Sequence, residues 1–235
     1  MRLDKFLKDV GLGSRKEAKQ LIKDKRIKID NVVAIKSEIN VDPSINKIYL
    51  DDNLIHYQKY YYFLLNKPKG YLSATTDNFQ KTILDFFFEY DYLDLFPVGR
   101  LDKDTTGAIL ITNDGILAHQ LISPKYHVDK VYIATLDKEV DEQIKDEFEN
   151  GIILDKELTL PCKFEKLNSN TCRVTLHQGK YHQVKRMFEY FNYKVIDLHR
   201  EKFAFLTLDG LKTGEFREIS EEELEKLQNL ASQKR

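Results

Sequence analysis

The sequence predicts an α+β protein: a small basic helix-helix-strand module at residues 1–56, then a larger mixed domain over residues 60–235. Three observations lead there. Apolar residues recur at helical spacing through residues 3–22 and switch to alternation from Ile27, so two helices precede strands. Beyond Tyr60, strand-like and helix-like runs interleave without the regular βαβ rhythm of a doubly wound sheet. At 235 residues, with 42% hydrophobic and 32% charged residues but only 10 Gly and 5 Pro, the composition is that of a globular protein and excludes a collagenous or wholly disordered chain.

Leu3, Phe6, Leu7 and Val10 mark a first helix over 2–10, stopped by Gly11 and Gly13. Ser14 and Glu17 form a capping box that opens a second helix; Ala18, Leu21 and Ile22 make its apolar stripe, and Arg15, Lys16, Lys19 and Lys23 its other face. Ile27 and Ile29, a turn at Asp30-Asn31, then Val32, Val33 and Ile35 read as a hairpin, and Ile48 with Leu50 as a further short strand. A boundary falls near residues 56–59. Residues 61–65 predict a strand broken at Asn66-Lys67-Pro68-Lys69-Gly70, because Pro68 donates no ladder hydrogen bond and Gly70 eases a turn. Another strand is predicted at 108–112, closed by Asn113-Asp114-Gly115, with more at 130–136, 162–164, 171–176, 194–198 and 205–208. Helices are predicted at 116–122, 140–149, 182–191 and 221–231, the last opened by a second capping box of Ser220 and Glu223.

The N-terminus MRLDKFLKDV is charged throughout and no apolar run approaches the roughly 18 residues a membrane-spanning helix needs, which predicts a soluble, unexported, cytoplasmic protein with no membrane partner. Cys162 and Cys172 have no CxxC pair or His cluster near them, so two reduced core thiols and no metal site are expected. The formal net charge of −1 argues at first against a nucleic-acid partner. Its distribution argues otherwise: residues 1–36 carry eleven Lys or Arg against five acids, a local +6, offset by stretches such as the acidic 221–225.

Three segments carry candidate chemistry. Residues 97–107, PVGRLDKDTTG, form a polar, Gly-bounded loop running into an apolar strand, where Asp102 and Asp104 lie beside Arg100 and Lys103. Neighbouring cations keep a carboxylate ionised, fit to act as nucleophile, general base or metal ligand. Local chemistry alone favours the plainer reading, a surface loop in which the same aspartates only form turns. Residues 179–187, GKYHQVKRM, gather cationic side chains and an aromatic at a helix start, which suits phosphate or carboxylate contact, although an exposed basic helix end would look the same. Tyr132 shares a strand face with Lys130, a position as suited to core packing as to stacking on a base.

Taken in order, these segments resemble the pseudouridine synthases of the ribosomal small subunit type. The likeness rests on NKPKG at 66–70, GRLDKDTTGAILITNDG at 99–115, KVY at 130–132, GKYHQVKRMF at 179–188 and LHRE at 198–201, and RLDKFLKDVGLGSRKEAKQLIKDKRIKIDN resembles the S4 RNA-binding domain. Asn31 stands where that domain usually has Gly, and Phe203-Ala204-Phe205 where the synthases usually have Ile-Gly-Gly. The resemblance implies a mainly antiparallel catalytic sheet and isomerisation of uridine to pseudouridine in small-subunit rRNA, with no cofactor and no metal. Asp102 would attack C1′ of the sugar or C6 of the base, Tyr132 would stack on the flipped base, and Lys185, or Arg186 in another register, would pair with Asp102. Arg100 would help hold the nucleotide out of its stack. Arg2, Lys5, Ser14, Arg15, Lys16, Lys19 and Lys23 would contact RNA, the partner being small-subunit rRNA on its own or in an assembling ribonucleoprotein, and the chain itself a monomer. Three rivals stand beside this reading: a synthase for large-subunit rRNA, a non-catalytic rRNA-binding or assembly protein, and a uridine nucleosidase, which would want a second carboxylate beyond Asp104.

Overall fold

A computed structural model describes residues 1–233, which divide into two compact units: residues 1–60 with 87–95, and residues 61–86 with the chain from Phe96 onward. In the first unit, α1 (Leu3–Asp9) and α2 (Arg15–Lys23) accompany the short strands β1 (Ile27–Ile29), β2 (Val32–Val33), β3 (Ile48–Leu50) and β4 (Asn53–Leu54), which pair in the order β2-β1-β3-β4. The capping box at Ser14 and Glu17 is formed in full. Leu3, Phe6 and Leu7 of α1 pack with Ala18 and Ile22 of α2 over Ile27 and Ile48, so the predicted apolar stripe is the core face. The β1–β2 turn holds Asp30 and Asn31 at φ of 48° and 69°, and Asn31 thus takes the left-handed conformation that Gly would adopt without strain.

The second unit is built on one nine-stranded sheet. Its strands are β5 (Tyr62–Lys67), β6 (Phe96–Pro97), β7 (Thr106–Thr112), β8 (Lys130–Leu136), β11 (Lys163–Lys166), β12 (Thr171–Leu176), β13 (Val195–Phe203), β14 (Leu206–Thr207) and β15 (Phe216–Glu218); β9 (Ile153–Leu154) and β10 (Glu157–Leu158) form a separate ribbon. The order is β11-β12-β8-β13-β7-β5-β15, with β14 beside β13 and β6 beside β7, and every pairing is antiparallel except β7 with β13. Helices α3 (Gly115–Ile122), α4 (Ile144–Asn150), α5 (Gln183–Tyr190) and α6 (Glu221–Ser232) complete the unit, α6 opened by the predicted Ser220–Glu223 capping box. At the one parallel seam Gly107, at φ +106°, lies so close to β13 that a Cβ there would sit 2.2 Å from the Arg200 carbonyl oxygen. Only glycine fits.

Several predicted boundaries move. The strands expected at 194–198 and 205–208 are one long strand through Phe203 and a two-residue partner, with Ala204 at the turn in left-handed conformation (φ 54°). The helix expected at 140–149 starts only at Ile144, because the Asp141 side chain first accepts the backbone N–H of Gln143 in a turn. The strand expected at 162–164 runs instead from Lys163 to Lys166, and that expected at 61–65 continues to Lys67. Cys162 and Cys172 are free and buried, and burial pushes their thiols up to about 12 and about 11. Among the described residues no helix is long and apolar enough to cross a membrane, and no group of His, Cys, Asp or Glu has the geometry of a metal site.

Candidate active site

The loop between β6 and β7 carries Asp102, and the end of β5 fixes its backbone. Lys67, the last residue of β5, is fully buried, and its ammonium donates to the carbonyls of Pro68 (3.2 Å), Asp102 (3.0 Å), Lys103 (3.3 Å) and Thr105 (2.8 Å). Burial pulls Lys67 down to about 8, which still leaves it protonated at neutral pH, and as a cation it shares three N–H donors among four carbonyls. The Gly70 amide donates to the Lys103 carbonyl (2.8 Å) and the Thr105 amide to the Asp102 carbonyl (3.1 Å). Buried Ser73 donates through Oγ to the Leu101 carbonyl (2.8 Å) and accepts the Leu101 N–H (3.1 Å). The segment NKPKG is therefore a bracket for the aspartate loop. In the sequence Lys67 was visible only as part of the motif NKPKG.

The Asp102 carboxylate meets the start of α5. Lys185 Nζ lies 3.0 Å from Asp102 Oδ2 and 2.6 Å from Asp104 Oδ1, and His182 Nε2 lies 3.3 Å from Asp102 Oδ1. Burial alone would lower the Lys185 ammonium, but its hydrogen bonds to Asp104 and Asp102 outweigh that and hold it above its ordinary value. The Lys185 ammonium in turn holds the Asp104 carboxyl below its usual range. His182 caps α5 from the left-handed region (φ 48°), a conformation a histidine adopts rarely, and Tyr181 stacks on its ring with centroids 3.8 Å apart. That backbone twist turns His182 back toward the aspartate while the first turn of α5 brings in Lys185.

Asp102, Tyr132 and His182 share the wall of a cavity of about 700 Å³, with Arg100 also on its wall. Tyr132 is 8% exposed, and its neighbour across β13 is Arg200. Lys130, Tyr132 and Arg200 therefore lie on one face of the sheet under the cavity.

The predicted pairing thus falls on Lys185. Arg186 lies one residue further round α5 and is bound 2.6 Å from Asp155, so the alternative register is not the one adopted. In the first unit, Arg15, Lys16, Lys19 and Lys23 are exposed together on α2. Arg2 is engaged with Asp4 at 2.8 Å, Lys5 pairs with Asp9, and Ser14 Oγ accepts the Glu17 N–H as helix cap. Of the predicted basic face, the α2 cations are the ones free of a partner among the ion pairs of the described residues. Lys67, His182, Lys130 and Arg200 join the site without having been singled out from the sequence, where each was visible only inside a longer motif.

Comparison with known proteins gives concordant results over the whole chain. A family profile for RNA pseudouridylate synthase matches residues 61–190, and one for the S4 domain matches residues 1–44. The chain is 39% identical to ribosomal small subunit pseudouridine synthase A of Haemophilus influenzae, over 97% of this chain and 99% of that protein. It is 36% identical to ribosomal large subunit pseudouridine synthase B of Bacillus subtilis, over 98% and 96% respectively. A crystal structure of a pseudouridylate synthase superposes with a TM-score of 0.68 at 36% identity, covering 97% of this chain and 99% of that one.

Proposed function

The chain belongs to the RNA pseudouridylate synthase family and carries an S4 domain, and from that premise we propose that it isomerises a uridine of small-subunit ribosomal RNA with Asp102 as nucleophile. The observation that carries the reading is the meeting of one cavity-lining carboxylate, Asp102, with Lys185 at 3.0 Å and His182 at 3.3 Å in a cavity that also holds Tyr132. Isomerisation breaks a C–N glycosidic bond and makes a C–C bond with no redox change and no group donor. It asks for one nucleophile, a countercharge, and a pocket that retains the detached base. Lys185 supplies the countercharge, Tyr132 a ring face for the uracil, and Arg100 at the mouth a cation for the backbone of the everted nucleotide. The single carboxylate also speaks against hydrolysis. A nucleosidase of the usual two-carboxylate kind would want a partner acid, and Asp104, with a side chain 70% exposed, is bound to Lys185.

The choice of small-subunit RNA is supported by the segment GKYHQVKRM, one of the motifs by which the chain resembles the small-subunit enzymes, and by the Haemophilus influenzae relative named for that subunit. The Bacillus subtilis relative named for the large subunit favours the second reading, the same chemistry on large-subunit RNA. The exposed lysines and arginine of α2 suit phosphate contact, which positions RNA without reading its sequence and weakens with salt. We further propose that the chain acts as a monomer in the cytoplasm on RNA that is already folded or assembling with protein. The test is a pseudouridine map of both rRNAs by carbodiimide-blocked primer extension in cells with and without this protein. One stop lost from small-subunit rRNA is expected, and a loss confined to large-subunit rRNA would overturn the assignment.

A further inference from the structure

The floor of the cavity holds two buried cations with no ion-pair partner among the described residues. Arg200 is 1% exposed and Lys130 is 5% exposed, and both line the cavity with Asp102 and Tyr132. Lys130 Nζ donates to the Val128 carbonyl at 3.1 Å, Arg200 Nε donates to the Ala108 carbonyl, and Arg200 Nη2 is buried with no hydrogen-bond partner. The two groups flank the Phe203 ring, Arg200 at 5.2 Å and Lys130 at 5.9 Å from its centroid, and repel each other. Among the described residues no carboxylate forms an ion pair with either; the adjacent Asp129, whose carboxylate lies 2.9 Å from His177 Nδ1, favours the Lys130 cation only through its charge. Two like charges buried together with an unsatisfied donor destabilise the fold, at a site where hydrophobic residues would carry no such penalty. Such an arrangement is explained when something negative arrives there.

We propose that Lys130 and Arg200 form a subsite for the carbonyl oxygens of the target uracil, and that they stabilise the negative charge the base carries while it is detached from the ribose. The proposal rests on the synthase reading above. In that reaction the C1′–N1 bond breaks with its electron pair left on the base; attack of Asp102 at C1′ spreads the charge from N1 onto O2 and O4, whereas attack at C6 first puts charge on C5 and O4 and then leaves N1 conjugated with O2. The base turns, C5 bonds to C1′, the bond that Asp102 formed breaks with its electron pair returned to the carboxylate, the C5 proton is lost and N1 takes up a proton, so the product is an isomer of the starting nucleotide. Donors fixed where charge develops act most strongly in a site with little water. Depth selects the base over a phosphate. A phosphate cannot reach a floor this buried without both flanking nucleotides following it, whereas Arg100 and Lys180 are more accessible at the same cavity. Tyr132 stands between the two cations in the strand register, Lys130 two residues away on β8 and Arg200 opposite on β13, so a base stacked there would carry its edge to them. Burial lowers Lys130 to about 8, so it remains a cation at neutral pH.

The test uses the full-length protein and an rRNA transcript that it converts, prepared with uridine or with 4-thiouridine, which keeps its C5 proton but whose base leaves more readily as an anion and whose sulfur accepts hydrogen bonds poorly. Single-turnover conversion is read by nuclease digestion and chromatography, and RNA affinity separately. Lys130→Met should slow the uridine reaction by about 10²-fold, as loss of one oxyanion-type donor does, with affinity within about twofold of the parent. The loss on 4-thiouridine should be smaller by about tenfold, and Lys130→Arg should recover most of the uridine rate. Arg200→Lys, which keeps the charge at the core position, should show the same substrate-dependent pattern if Lys130→Met does not fold. Equal losses on both substrates would overturn the subsite, and so would weakened RNA binding at an unchanged rate, the signature of a phosphate contact. A parent protein that converts neither transcript would instead overturn the synthase reading on which the subsite depends.

Discussion

Replacing Lys67 with Met separates what holds the fold from what positions the aspartate. The side chains are similar in length and apolar bulk, so the change removes the ammonium and little else. Lost are hydrogen bonds to four carbonyls, of which those to Thr105 at 2.8 Å and Asp102 at 3.0 Å are the shortest. At roughly 1.5–3 kcal/mol for a bond from a charged donor, these two amount to roughly 3–6 kcal/mol. Against this stands the burial of the cation: its drop from 10.5 to about 8 corresponds to roughly 3 kcal/mol, which Met relieves. The net destabilisation is therefore about 0–3 kcal/mol, a fall in Tm of a few degrees and at most about 10 °C for a chain of this size. Activity should fall much further, because a shift of about 1 Å in the Asp102 backbone costs on the order of 10²-fold in rate. The folded Lys67 loses its proton at about 8 and the unfolded one at 10.5, so the folded state holds fewer protons between those values. Stability should rise with pH through that window in the parent, and rise less in Lys67→Met. The assays are single-turnover tritium release from C5-labelled uridine RNA and thermal unfolding from pH 7 to 10. A folded Lys67→Met protein that turns over within about threefold of the parent would refute the bracketing role, since the rate argument rests on displacement of the loop.

Two further outcomes follow from the same geometry. Lys185→Met removes the cation 3.0 Å from Asp102 and should cut the single-turnover rate by about 10²-fold, while Asp104→Asn, at a side chain 70% exposed, should change it by no more than about threefold; a larger effect at Asp104 would reassign the carboxylate. Exchanging Lys16, Lys19 and Lys23 on α2 for Glu should weaken RNA binding about tenfold or more and flatten its salt dependence, measured by filter binding at several salt concentrations, and an unchanged slope would remove α2 from the interface.

Most of the scaffold was legible from periodicity and caps. β12 alternates cleanly because one face of it is buried, and Ser14 and Ser220 cap their helices through the side-chain pattern that announced them. β13 was not legible as one strand. Its middle, His199-Arg200-Glu201-Lys202, looks like a charged loop, yet Arg200 turns inward under the cavity and Glu201 pairs with Arg173 at 3.1 Å. The aromatic run from Phe86 hid the fact that residues 87–95 belong to the first compact unit, since periodicity does not report which core an apolar residue joins. At the site, the Asp102 loop stood out by composition, and helical geometry decided between Lys185 and Arg186 as its partner. Lys67, Lys130 and Arg200 escaped because a buried cation carries no local signature. Its meaning lies in the carbonyls and the cavity around it, which only the tertiary fold assembles.

Asp102→Asn tests the central proposal most directly, because it keeps the shape of the side chain and removes the nucleophilic charge. With the full-length protein and C5-tritiated rRNA transcript, the proposal predicts that tritium release falls below detection while RNA affinity stays within about twofold of the parent. Sustained tritium release by the Asn variant would contradict it.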